Sequence, residues 1–105
     1  MRRIAPLAGV LALLLSAVAQ AADPHLARNL AATCANCHGT DGRSVGGMAV
    51  LAGEPKDKLL ASLKAFRSGE KPATIMHQIS KGYTDEQLDL IAGYFAAIRP
   101  AGGAK

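Results

Sequence analysis

Residues 33–40 read TCANCHGT, which places Cys34, Cys37 and His38 within five positions of one another. The 105-residue chain has no other cysteine, so all of its thiol chemistry lies in this one motif. A C-x-x-C-H spacing can serve disulfide exchange, zinc binding or the covalent attachment of haem. Each of these three uses requires different residues around the motif, so the rest of the sequence can distinguish between them.

Two of these uses fit poorly. Thioredoxin-like disulfide motifs sit at a strand-to-helix junction, and no segment here alternates long enough to predict a strand. A structural zinc ion needs four tetrahedral ligands, but Cys37 and His38 are adjacent, so their side chains diverge. The remaining histidines, His25 and His77, are single residues without ligand-pair spacing.

Covalent haem fits the spacing better. Residues three apart on a helix share one face, so Cys34 and Cys37 can each form a thioether with one vinyl group of a porphyrin. His38 then lies one position further along and can place an imidazole nitrogen on the iron. The motif therefore predicts one covalently bound haem c, with Cys34, Cys37 and His38 as its attachment residues.

The elements around the motif are predicted to be helical throughout. Residues 24–36 form a helix that runs into the motif, and residues 39–55, with five glycines, form a loop. A helical stripe over residues 55–67, a short helix over 73–81 and a capped helix from Thr84 to about Ile98 follow. We therefore expect an all-α domain of about four short helices wrapped around the haem.

The first 21 residues have the features of an export signal. Arg2 and Arg3 precede an apolar run from Ile4 to Val18, and Ala19-Gln20-Ala21 gives a small-x-small cleavage pattern. We expect cleavage after Ala21, a single mature domain over residues 22–105 with a frayed tail at 101–105, no membrane anchor after cleavage, and a periplasmic location.

Composition limits the function classes. Without the leader, ten basic residues face eight acidic ones, and a net charge of +2 does not favour nucleic-acid binding. The chain has no tryptophan and only four Phe and Tyr residues, so its own side chains make a thin core. A large apolar cofactor would supply much of the missing interior.

Residues 24–99 resemble the small class I c-type cytochromes. The segments CANCHGTDG, LAGEPKDKLLASLKAFRSGE and TIMHQISKGYTDEQLDLIAGYFAAI are most similar to the cytochrome subunits of flavocytochrome c sulfide dehydrogenases. The resemblance implies a cytochrome c fold, in which the helix that carries the motif packs across the C-terminal helix, with Gly93 permitting their close approach.

The sequence offers four candidates for the sixth iron ligand: Met76, Met48, His77 and His25. In the family the ligand methionine lies just before the C-terminal helix, so the resemblance implies Met76. Met48 is then expected to be a packing residue and His25 an exposed surface residue. His77 is the rival candidate for the sixth ligand, and because it is adjacent to Met76 only one of the two can bind the iron.

The resemblance also implies supporting contacts. Relatives commonly orient the iron-bound histidine with a proline carbonyl, and this chain has Ala49 at that position. This is a departure from the family pattern. An alanine carbonyl can still accept a hydrogen bond from the second ring nitrogen of His38, with a looser loop, and the sequence leaves open whether it does so. Arg43 is a candidate to neutralise a haem propionate, or else a solvated loop arginine.

The implied function is one-electron transfer, not catalysis by this chain alone. The resemblance places it beside an FAD-containing subunit that oxidises sulfide, as the electron-accepting cytochrome. A free periplasmic carrier that donates to a terminal oxidase is the alternative, and a haem-based ligand sensor is a third interpretation. The redox potential, the donor, the acceptor and the oligomeric state are not encoded in any motif.

Overall fold

The computed structural model describes residues 23–99, so the expected leader at 1–21 and tail at 101–105 lie outside the described residues. Its elements in chain order are α1 (Leu26–Ala31), a 3₁₀ turn (Ala32–Cys34), α2 (Ala35–His38), a 3₁₀ turn (Thr40–Gly42), α3 (Lys56–Ser68), α4 (Met76–Lys81) and α5 (Asp85–Ala97).

The described range is helical and contains no strand, which confirms the all-α prediction. Because α1, the first 3₁₀ turn and α2 are contiguous, residues 23–99 contain four α-helical segments, besides the 3₁₀ turn at Thr40–Gly42. The first segment was predicted as one helix over residues 24–36. Instead it tightens into a 3₁₀ turn at Ala32–Cys34, within the motif itself.

Helix α3 begins and ends where proline and glycine predict. Pro55 is its N-cap, a position at which a missing backbone N–H costs nothing. Gly69 follows the last turn with a φ of 88°, and its N–H donates to the Phe66 carbonyl. This left-handed cap is one that glycine adopts without strain.

Helix α5 begins with the predicted capping box. Thr84 accepts from the Gln87 backbone N–H, and the Gln87 side chain accepts from the Thr84 N–H at 2.9 Å. Leu88, Ile91 and Phe95 are buried along one face, as the stripe predicts. The backbone becomes extended at Ile98, which ends the helix one residue before the predicted boundary.

The core lies where α5 packs against α1 and α3. It is a single cluster of five buried residues: Ala31, Leu59, Ile91, Ala92 and Phe95. The small pair Ala31 and Ala92 is fully buried in this cluster, at 2% and 0% exposure. The expectation that Gly93 permits the close approach of α1 is wrong. A Cβ on Gly93 would first meet the Lys56 side chain, at an ordinary 3.7 Å.

Within residues 23–99, no helix is both long enough and apolar enough to cross a membrane.

Candidate functional site

A cavity of about 930 Å³ opens between the N-terminal segment, the glycine-rich loop, α3 and α4. Cys34, Cys37, His38, Met48 and Met76 all line it. The other walls are mostly aliphatic and aromatic, and they include Leu51, Leu59, Leu63, Phe66, Ile75, Ile79, Ile91 and Phe95. This volume lies within the roughly 300–1,000 Å³ that is typical of cofactor sites.

The two cysteines reach the cavity from consecutive short elements. Cys34 ends the 3₁₀ turn and caps α2, and Cys37 lies within α2, so one near-continuous helical segment presents both thiols. Both are free, Cys34 half-buried and Cys37 exposed. Burial raises the pKa of the Cys34 thiol, so this sulfur is held in its neutral form within the apolar wall.

His38 is fixed by a single hydrogen bond. Its Nδ1 lies 2.7 Å from the Ala49 carbonyl oxygen, so the contact that the resemblance left open at this position is made. Because a carbonyl can only accept, Nδ1 carries the proton and donates. The other ring nitrogen, Nε2, then has the lone pair that a metal ligand needs.

Gly42 holds the loop that carries Ala49. The Gly42 carbonyl accepts from the backbone N–H groups of Leu51 (2.9 Å) and Ala52 (3.2 Å), which closes the loop over residues 43–50. Gly42 is buried and has a φ of 74°. A Cβ there would lie 2.8 Å from both Leu51 and Phe95, so the closure requires glycine.

The two methionines on the cavity wall are placed differently. Met76 is half-buried at the first position of α4, held by the helix that begins there. Met48 is 45% exposed in the glycine-rich loop, beside Gly47. A side chain set by a helix terminus keeps a more constant position than one on a loop.

The two remaining histidines do not line the cavity. His77 Nε2 lies 2.5 Å from the Lys71 carbonyl, and its ring packs against Phe66 with the centroids 6.4 Å apart. His25 is exposed at the N-cap of α1. His77 thus connects the start of α4 to Lys71 and to Phe66 on α3, and it does not line the cavity beside the thiols.

Arg43, a sequence candidate for a haem carboxylate, is not on the cavity wall. Its Nε donates to the Arg99 carbonyl at 3.1 Å, and its guanidinium lies 4.0 Å from the Asp41 carboxylate. These contacts join the glycine-rich loop to the end of α5.

Sequence reasoning missed a polar rim on the same cavity. Glu54, Lys58, Ser62 and Lys71 line it, and the first three fall four residues apart along α3 and its approach. The i, i+4 spacing was the available signal, because such residues share one helix face. Lys71 lies beyond the helix, and no pattern predicts that its side chain folds back.

The residues present fit a haem. The cavity is large and apolar, two thiols and one histidine with an unprotonated Nε2 face into it, and a methionine lines it as well. Within residues 23–99, no group of three or more His, Cys, Asp and Glu side chains could hold a bare metal ion. Two thiols on one helical segment together with one histidine suit iron in a porphyrin, whose four nitrogens would supply further ligands.

Comparison with known proteins agrees with this reading. Residues 26–98 match the family model described as Cytochrome c. The chain is 39% identical over 69 residues to the cytochrome subunit of sulfide dehydrogenase from Chlorobaculum tepidum, covering 66% of this chain and 63% of that protein. It is 41% identical over 101 residues to the thiosulfate dehydrogenase electron acceptor of Stutzerimonas stutzeri, covering 89% of this chain and 47% of that one.

A third relative is cytochrome c-554(548) from Halomonas halodenitrificans, 35% identical over 69 residues, 62% of this chain and 83% of that protein. The chain thus spans about half to two thirds of the length of the first two relatives. The family match covers the whole helical domain, motif and C-terminal helix included. The chain belongs to the cytochrome c family, whose members transfer electrons through a covalently bound haem c.

Proposed function

We propose that this chain is a periplasmic one-electron carrier whose haem is attached through Cys34 and Cys37 and ligated by His38 and Met76. The observation that carries the proposal is the convergence of these four side chains on one apolar cavity. When bound, the haem supplies a reversible change of one electron at its iron.

The protein's own residues prepare the site for that change. Cys34 and Cys37 fix the haem covalently, and the Ala49 carbonyl keeps His38 in the tautomer that leaves Nε2 unprotonated. The aliphatic wall excludes water, which keeps the charge change in a low-dielectric surrounding. Rigid helices on both sides limit rearrangement between the two oxidation states.

Met76 is the better candidate for the sixth ligand on two grounds. It lines the cavity from a helix terminus, whereas Met48 lies on a half-exposed loop. Its neighbour His77 is engaged by the Lys71 carbonyl and is absent from the cavity wall. A thioether ligand favours ferrous iron and raises the potential, which suits an electron acceptor.

The spectrum of exported holoprotein tests the haem and its ligands. The full chain would be produced in a host that matures c-type haem, and the haem should resist extraction by acid and organic solvent. We expect the weak far-red band of methionine on ferric iron, lost in Met76→Ala and kept in Met48→Ala. Colourless protein with free thiols would refute the proposal, and loss of the band only in Met48→Ala would refute the ligand assignment.

For the donor we propose a sulfide-oxidising flavoprotein. The support is the resemblance of the motif and C-terminal segments to the cytochrome subunits of flavocytochrome c sulfide dehydrogenases, together with the Chlorobaculum tepidum relative. The Stutzerimonas stutzeri relative, an electron acceptor of thiosulfate dehydrogenase, supports the same place in electron flow with a different donor.

A reconstitution tests the proposed flavoprotein donor against the role of a free carrier. Ferric holoprotein would be mixed with a purified FAD-containing sulfide dehydrogenase subunit, and haem reduction followed after sulfide addition, with sulfide alone as the control. We expect reduction to be faster with the flavoprotein present. If the flavoprotein adds nothing, while a terminal oxidase readily oxidises the ferrous form, the chain is a free carrier instead.

A further inference from the structure

The rim of the cavity carries the only Lys, Arg, Asp and Glu side chains on the described part of its wall: Glu54, Lys58 and Lys71. The other residues that line the cavity have apolar, small or uncharged side chains. A haem has two carboxylates on the edge away from its vinyl groups, so they must meet wall residues outside the thiol-bearing segment. The rim lies on α3 and its flanking segments, which is such a place.

The two ammonium groups of the rim differ in charge balance. Lys58 Nζ lies 2.9 Å from the Glu54 carboxylate, so its charge is already compensated. Lys71 Nζ donates to the neutral Ser62 hydroxyl at 3.1 Å and lies 4.9 Å from the centre of the Phe66 ring. Within residues 23–99, Lys71 makes no ion pair.

The backbone of Lys71 is held in place. Its N–H donates to the Ala65 carbonyl at 3.2 Å, and its own carbonyl receives the His77 contact at 2.5 Å. A cation anchored at its main chain, next to a hydroxyl that can also donate, is suited to a carboxylate. Arg43 lacks this placement because it is bound to the Arg99 carbonyl and lies off the wall.

We propose that Lys71 and Ser62 form the binding site for a haem carboxylate, and that the Lys71 charge helps to set the reduction potential. The proposal rests on the haem attachment proposed above and not on the identity of the sixth ligand or the donor. A negatively charged carboxylate stabilises ferric haem, and the positive charge of Lys71 offsets this effect. Loss of Lys71 should therefore shift the equilibrium toward ferric haem.

The test compares reduction potentials of intact holoproteins. Lys71→Gln should lower the ratio of ferrous to ferric haem at a fixed ambient potential by roughly threefold, while Lys71→Arg should keep it near the original. Lys64→Gln is the matched control, since Lys64 is an exposed lysine on α3, the helix that carries Ser62, and does not line the cavity. Arg43→Gln tests the competing residue.

A second readout is specific to the carboxylates. Their bending band in the resonance Raman spectrum reports hydrogen bonding, and it should shift in Lys71→Gln and in Ser62→Ala but not in Lys64→Gln. The inference fails if the band and potential of Lys71→Gln match those of Lys64→Gln, or if Arg43→Gln shifts them instead. Failure of haem attachment would be recognised separately, as protein without covalent haem.

Discussion

The Tyr94 hydroxyl donates to Oδ1 of Asp41 at 2.7 Å and so joins α5 to the turn that follows the haem-binding motif. Asp41 has a φ of 55°, a left-handed conformation that its neighbours must hold in place. The bond therefore connects the C-terminal helix to the start of the glycine-rich loop, next to Gly42.

Tyr94→Phe should lower the free energy of unfolding of the holoprotein by about 1 kcal/mol, because it removes one partly buried hydrogen bond. Acceptance by the Asp41 carboxylate, and to a smaller extent burial, raises the pKa of Tyr94. A raised folded-state pKa means that this contribution is full below about pH 10 and is lost as the pH rises further.

Thermal unfolding of both proteins between pH 7 and pH 11 measures this difference. The melting temperatures should differ at pH 7 and converge at the alkaline end. Tyr83→Phe is a control, since the Tyr83 hydroxyl pairs with a Thr33 hydroxyl at 2.9 Å, and no carboxylate of residues 23–99 accepts from it. A difference between wild type and Tyr94→Phe that grows with pH would contradict the assignment.

Gly42→Ala should be strongly destabilising. The new Cβ would lie 2.8 Å from both Leu51 and Phe95, and alanine would be strained at a φ of 74°. We expect a loss of about 3 kcal/mol, from overpacking and backbone strain together. Gly46→Ala, where a Cβ would meet nothing within 4 Å, should change the melting temperature little. Equal effects of the two changes would show that the loop is not closed at Gly42.

Ser80→Ala should be stabilising. Ser80 is fully buried on α4, and its hydroxyl has no hydrogen-bond partner among the described residues. Removing an unsatisfied buried hydroxyl should gain about 1 kcal/mol, or about 5 °C in melting temperature. Ser62→Ala, which removes a hydroxyl bonded to Lys71, should give no such gain. A lower melting temperature for Ser80→Ala would mean that the hydroxyl is hydrogen-bonded in solution.

Asp85→Asn should flatten the acid side of the stability profile. A hydrogen bond from Arg67, and then its charge, lower the pKa of Asp85 at the start of α5. A lowered folded-state pKa contributes stability above about pH 4, which is lost as the pH falls through the folded-state value. Wild type and variant should therefore differ in melting temperature at pH 7 and agree near pH 2.

Glu86→Gln controls for the loss of one negative charge in the same helical turn. If that change flattens the profile as much as Asp85→Asn does, general attraction to the helix terminus is responsible, and not the Arg67 contact.

Local signals in the sequence predicted the helices well. Pro55, Gly69 and the Thr84 capping box each act within one turn, so their effects do not depend on distant packing. The motif likewise places Cys34, Cys37 and His38 by spacing alone, and all three line the cavity. The resemblance drew attention to the Ala49 position but left the bond open, and the structure shows that the Ala49 carbonyl is the His38 partner.

Features that depend on packing between distant segments were not predictable. Whether Gly93 or Ala92 lies at the helix crossing depends on the rotation of α5 by one residue, which the apolar stripe does not resolve. Arg43 and Lys71 are long side chains on loops, each with several reachable partners. Only the folded chain shows that one turns toward Arg99 and the other toward Ser62.

The size of the central cavity has a consequence for the chain before it receives haem. Seven apolar residues are buried among residues 23–99, and about 930 Å³ lies open between them and α4. In a chain that never receives its porphyrin, the apolar wall would be exposed to water and the segments around it would be loosely packed, so proteases could cleave them readily. The cellular level of this protein should then follow the supply of haem, because chains without haem would be degraded.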